Sequence, residues 1–112
     1  MNIRKIDDSL SVSSQIAVGD VEIIAAQGFR SIICNRPDGE AADQPGFSEI
    51  AAAAHTAGLE ARYLPVISGR LQHKDIAEFS GAMHELPGPV LAYCRSGARS
   101  AMLKSLGEES PQ

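Results

Sequence analysis

The reactive chemistry of this chain is concentrated in VLAYCRSGARS, residues Val90–Ser100. An apolar run, Val90–Cys94, reads as a buried strand ending on a cysteine, and Arg99 lies at the start of a helix. In open α/β sheets, ligands bind beyond the carboxyl ends of the strands. A loop leading into a helix N-terminus turns successive backbone N–H groups inward and adds the positive end of the helix dipole, so it favours an anion. The same field favours thiolate over thiol and predicts a lowered pKa at Cys94. Arg95 and Arg99 add positive charge, and the planar guanidinium of Arg99 suits bidentate contact with an oxyanion. Gly97 allows the backbone a tight cradle, Ser96 and Ala98 complete the loop, and Ser100 is placed to donate a hydrogen bond to the sulfur. The plain alternative is a buried strand-end cysteine beside two surface arginines.

The elements that must carry this loop follow from pattern and punctuation. Strands are expected over Ile3–Ile6 and Leu10–Ser13, an opening hairpin within residues 1–14, with Asp7-Asp8 as its turn. Asp20 is expected to cap a short helix ending at Gly28. A buried strand is predicted over Phe29–Asn35, a loop over Arg36–Gly46, a helix over Phe47–Ala57 and a strand over Leu59–Val66. Asp75 is expected to cap the next helix, which Pro87-Gly88-Pro89 breaks. After the strand Val90–Cys94 a last helix is predicted from Ser100 to Leu106, followed by an unstructured tail over 107–112. Strands alternating with helices predict one α/β domain over 1–112, with a central, mainly parallel sheet flanked by helices on both faces.

Composition narrows the function. The 112 residues are 44% hydrophobic and 21% charged, ordinary for a globular domain, with a net charge of −4. That acidic balance argues against a broad nucleic-acid or anionic-membrane surface. No apolar run approaches the roughly 18 residues of a membrane span, and the opening residues lack the apolar block of a secretory signal, so a cytoplasmic location is the expectation. Two cysteines do not make a disulfide scaffold. His55, His73 and His84 show no ligand spacing, so neither a metal nor a cofactor is expected.

CRSGARS, with the upstream IICNRPDGE and SVSSQI, resembles the phosphatase-like domain of the beta-lactamase-hydrolase-like proteins, from about Ile3 to Lys104. The resemblance implies a fold similar to protein-tyrosine and dual-specificity phosphatases, and a link to sulfide- or persulfide-oxidation enzymes. Two chemistries use a thiolate at the base of such a loop. Cysteine-dependent phosphatases resemble C-x5-R, often with His before the Cys. Rhodanese-type sulfurtransferases resemble C-x4-R, a smaller ring around one sulfane sulfur. Cys94–Arg99 counts as C-x4-R, Tyr93 stands where a phosphatase often has His, and Ile67-Ser68-Gly69-Arg70 lacks the Asp expected after YLPV. The leading expectation is therefore a rhodanese-like sulfurtransferase working through a Cys94 persulfide. Loop amides and Arg99 would cradle the anion, and Arg95 would hold the sulfonate end. The alternatives are a phosphomonoester hydrolase working through a Cys94 phosphoenzyme, and a catalytically weak module that binds an anion or persulfide.

Several other residues have two readings. Arg36 is either a second anion-binding wall or part of a solvated turn. Asp38, with Glu40 beside it, is the candidate general acid for the phosphatase alternative. Arg70 is read as a solvated surface residue. Cys34 is read as a small buried hydrophobe, with a resolving thiol as the alternative. The expected partner is a small sulfur or phosphate anion. A short last helix would leave apolar surface near Met102 and Leu103, to be covered by a second copy or a neighbouring domain.

Overall fold

The computed structural model describes residues 1–109. Five strands and four helices alternate after the opening hairpin: β1 (Ile3–Lys5), β2 (Leu10–Ser13), α1 (Asp20–Ala26), β3 (Ser31–Cys34), α2 (Phe47–Thr56), β4 (Glu60–Tyr63), α3 (His73–Glu85), β5 (Val90–Tyr93) and α4 (Ala98–Glu109). The sheet order is β1-β2-β5-β3-β4. Only β1 runs antiparallel to its neighbour; β2, β5, β3 and β4 are mutually parallel. The expected α/β architecture is the observed one, and β5 lies at its centre, between β2 and β3.

Alternation along the central strands builds two cores. Ile32, Cys34, Leu91 and Tyr93 face one side and pack with Val21, Ile24, Ile50 and Ala54 of α1 and α2. Ile33, Val90 and Ala92 face the other and pack with Phe79 and Ala82 of α3 and Leu103 of α4. Every residue of β2, β3 and β5 is consequently buried, as expected of strands covered on both faces.

Helix starts differ from the sequence reading in instructive ways. Gly19, not Asp20, occupies the N-cap of α1. The Asp20 carboxylate folds back to accept the Ala17 N–H at 2.8 Å, which ties the preceding turn. Asp75 lies inside α3, which begins at His73, and its carboxylate accepts the Gln72 N–H at 2.9 Å. It satisfies a donor at the helix start from the third helical position rather than from the cap.

The larger correction is α4. It runs through Gly107 and Glu108 to Glu109, where the tail was expected to begin; positions 110–112 of that tail lie outside the described residues. Gly107 is a close-packing residue here, because a Cβ on it would lie 3.0 Å from Ser80 Oγ of α3. Leu103 is fully buried, while Met102 is half exposed beside the loop that follows β5. The apolar face expected at both residues therefore reduces to Met102.

Candidate active site

β5, β3 and β4 end side by side, and their carboxyl-end loops converge. Cys34 and Tyr93 are register partners, so Cys94 lies one residue beyond the β3–β5 ladder. Asn35 locks this edge. It donates its backbone N–H to Tyr93 O at 2.8 Å and its Nδ2 to Leu64 O at 2.9 Å, and it accepts the Val66 N–H at 3.0 Å. The Ser100 hydroxyl donates to Asn35 Oδ1 at 2.8 Å. The hydroxyl hydrogen of Ser100 thus goes to Asn35, and it is the backbone N–H of Ser100 that acts on the sulfur.

Cys94 begins the turn into α4. The turn is tight at Gly97, whose φ of +96° lies in the left-handed region. A Cβ there would come within 3.2 Å of Arg4 Nη2 and 3.4 Å of the Ser13 backbone. With Gly97 in this conformation, its N–H donates to Cys94 Sγ at 3.0 Å. Burial by itself would push the Cys94 thiol up. The backbone N–H groups of Ser100, Ser96, Gly97 and Arg99 act against it and hold the pKa below the ordinary thiol value. The four donors come from one turn of chain at a helix start, so their direction is fixed by backbone geometry.

Arg99 is largely buried. It donates Nη1 to Glu40 Oε2 at 2.8 Å, Nη2 to Glu40 Oε1 at 3.0 Å, and Nη1 again to Val66 O at 2.9 Å. Of its five donors, the Nε and outer Nη2 hydrogens remain after these bonds, and they form the side-on bidentate edge of the guanidinium. Arg36 donates Nε to Glu40 Oε1 at 3.0 Å and Nη1 to Gln15 Oε1 at 3.0 Å. Hydrogen bonding from Arg99, reinforced by Arg36, holds the Glu40 carboxyl below its ordinary value against the opposing effect of burial.

These groups surround an open cavity of about 600 Å³, walled by Val66–Gly69, Leu71 and Met102 and by the polar residues Arg36, Glu40, Arg95, Ser96 and Arg99, with Ala98 at the helix start. Arg95 is exposed at the rim and Ser96 accepts the Ala98 N–H at 3.2 Å. Asp38 is placed differently. Its Oδ1 accepts the Phe47 N–H at 2.8 Å, at the start of α2, and its own N–H donates to Tyr63 Oη at 2.9 Å. It is not among the residues walling the cavity.

Cys34 is a free, buried thiol that donates to Arg36 O at 3.2 Å. Burial raises its pKa, opposite in direction to Cys94. Among the described residues no His, Cys, Asp and Glu groups cluster as metal ligands, and no helix is long and apolar enough to cross a membrane. Sequence reasoning named Glu40 only as a spare acid and missed Gln15 and Asn35. The four-residue spacing of Arg36 and Glu40 was the one available hint of the ion pair.

A family model, that of the phosphatase-like domain of beta-lactamase hydrolase-like proteins, matches residues 2–110. A beta-lactamase hydrolase-like protein of Agrobacterium fabrum is 39% identical over 108 residues, covering 96% of this chain and 25% of the relative. The chain thus spans about a quarter of the length of the curated relatives it matches. A phosphatase candidate from Neisseria meningitidis superposes with a TM-score of 0.85 at 37% identity, covering 96% of this chain and 78% of that one. The fold is shared more distantly with Pseudomonas aeruginosa TpbA, solved with phosphotyrosine, at a TM-score of 0.65 and 17% identity, covering 91% of this chain and 59% of that one. These relatives support a phosphatase-like reading and give no support to the expected sulfurtransferase.

Proposed function

The chain belongs to the phosphatase-like domain family of the beta-lactamase hydrolase-like proteins, and on that premise we propose that it hydrolyses phosphomonoesters through a Cys94 phosphoenzyme. The observation that carries this reading is the ring of backbone N–H groups at the start of α4, in which that of Gly97 reaches Cys94 Sγ at 3.0 Å and those of Ser100, Ser96 and Arg99 also act to lower its pKa. Such a ring stabilises a thiolate before attack. As the phosphoryl group arrives, the same donors and the Nε–Nη2 edge of Arg99 take up charge on its equatorial oxygens. Arg95 lies at the rim to meet the incoming anion, and Arg36 adds charge to the wall.

The test is turnover of p-nitrophenyl phosphate by the wild-type chain and by Cys94→Ser. The reading expects phosphate release that Cys94→Ser abolishes. Equal release by the variant would sink it.

A second reading, sulfane-sulfur transfer through a Cys94 persulfide, draws on one observation. The Gly97 N–H reaches Sγ itself at 3.0 Å, so the C-x4-R ring closes around the sulfur. Thiocyanate formation from thiosulfate and cyanide, dependent on Cys94 and unaccompanied by phosphate release from the ester, would favour it over phosphoryl transfer.

A further inference from the structure

Departure of a leaving oxygen can be helped by a proton or by positive charge. The cavity beside the Cys94–Arg99 turn, which Arg95, Ser96, Ala98 and Arg99 of that turn help to line, offers the second. Arg36, Arg95 and Arg99 line it, and Glu40 is the one carboxyl among its described lining residues. Glu40 is not free to act as an acid. Its Oε1 accepts from Arg36 Nε and Arg99 Nη2, and its Oε2 accepts from Arg99 Nη1. A proton on it would break two ion pairs in a partly buried site.

The neighbouring acids are committed elsewhere. Asp38 accepts the first N–H of α2, and Asp75 accepts the Gln72 N–H at the start of α3. The loop after β4, from Ile67 to Arg70, contains no acid. His73 is exposed on the first turn of α3 and does not line the cavity.

We propose that this site is restricted to phosphoryl compounds whose leaving group departs as a stable anion, namely acyl phosphates and esters of acidic phenols, and that it discriminates against ordinary alkyl phosphates. The inference rests on the phosphoryl-transfer reading and specifies its substrate class. In the first step the Sγ thiolate forms the S–P bond while the P–O bond to the leaving group breaks. The bonding pair stays on that oxygen, which departs unprotonated past Arg95. In the second step water attacks phosphorus, the S–P bond breaks and its pair returns to Sγ. Phosphate leaves and the proton of the water passes to solvent.

The test is a leaving-group series of aryl phosphates, ending at a phenol as basic as tyrosine, about pKa 10, with acetyl phosphate as the acyl member. The wild type, Asp38→Asn and His73→Ala are assayed side by side, with Cys94→Ser as control. The expected result is a kcat/KM that falls about tenfold for each unit of leaving-group pKa, alike in the three active proteins, with acetyl phosphate turned over. A flat series in the wild type that turns steep in Asp38→Asn or His73→Ala would identify a proton donor and overturn the inference, leaving the phosphoryl-transfer reading intact. A flat series in all three proteins would overturn it equally. No Cys94-dependent turnover of any member would overturn both.

Discussion

Cys34 and Cys94 end neighbouring parallel strands, almost in register, and both are buried. Each is followed within two residues by an arginine. Yet burial pushes the Cys34 thiol up, while Cys94 lies below the ordinary value. Burial is common to both, so it does not explain the difference. What differs is the chain that follows. After Cys34 comes an extended segment whose amides serve the sheet: the Asn35 N–H goes to Tyr93 O, and Cys34 itself gives its hydrogen to Arg36 O. After Cys94 comes a left-handed glycine and a twelve-residue helix, so the next amides point back at the sulfur. The turn behind a strand-end cysteine, rather than its burial, sets the direction in which its acidity moves.

The widest expected contrast is between the two serine variants. Cys94→Ser should lower phosphate release by about a thousandfold or more, because the nucleophile is lost. Cys34→Ser should stay within about threefold of wild type while losing about 1 kcal/mol of stability, measured by urea unfolding. A large activity loss at Cys34 would break the comparison.

Arg99→Lys should lower kcat/KM by about a hundredfold, since a point charge replaces the bidentate edge. Glu40→Gln should lower kcat by about tenfold with a smaller change in KM. It keeps a hydrogen-bonding shape but releases the grip that orients Arg99, and Glu40→Asp should recover little because the carboxylate no longer reaches both arginines.

The two thiols should also separate along the pH axis. The lowered pKa of Cys94 means that its thiolate persists as pH falls, so the acidic limb of kcat/KM should lie below the ordinary thiol range and follow Cys94. The raised pKa of Cys34 places its thiolate above that range. Site-resolved alkylation by iodoacetamide across pH should label Cys94 first. Labelling in the reverse order would contradict the assignment of acidity.

What the sequence disclosed follows sequence distance. The cradle was legible because strand, turn and helix are consecutive, and a Cys, a Gly and an Arg mark their order. The complete burial of β3 and β5 was legible from their apolar runs. Glu40 was read poorly because its main partner, Arg99, is 59 residues away. Which group of Ser100 serves the sulfur was not legible, because Asn35, 65 residues away, takes its hydroxyl hydrogen and leaves the backbone N–H to Cys94. The length of α4 was hidden by Gly107, whose type signals a stop. Packing against Ser80 and the ion pairs of Lys104 with Asp7 and Glu108 carry the helix past it. The choice of sulfur over phosphoryl chemistry was drawn from loop length, from Tyr93 and from the absence of an Asp after YLPV, and the family relationship does not support that choice.

The most direct test of the central claim is rapid acid quench of the wild-type chain during turnover of p-nitrophenyl phosphate, followed by intact mass and peptide mapping. The account predicts a phosphoryl group on Cys94, absent from Cys94→Ser and absent from Cys34. Steady phosphate release with no adduct on Cys94, or an adduct that survives Cys94→Ser, would contradict it.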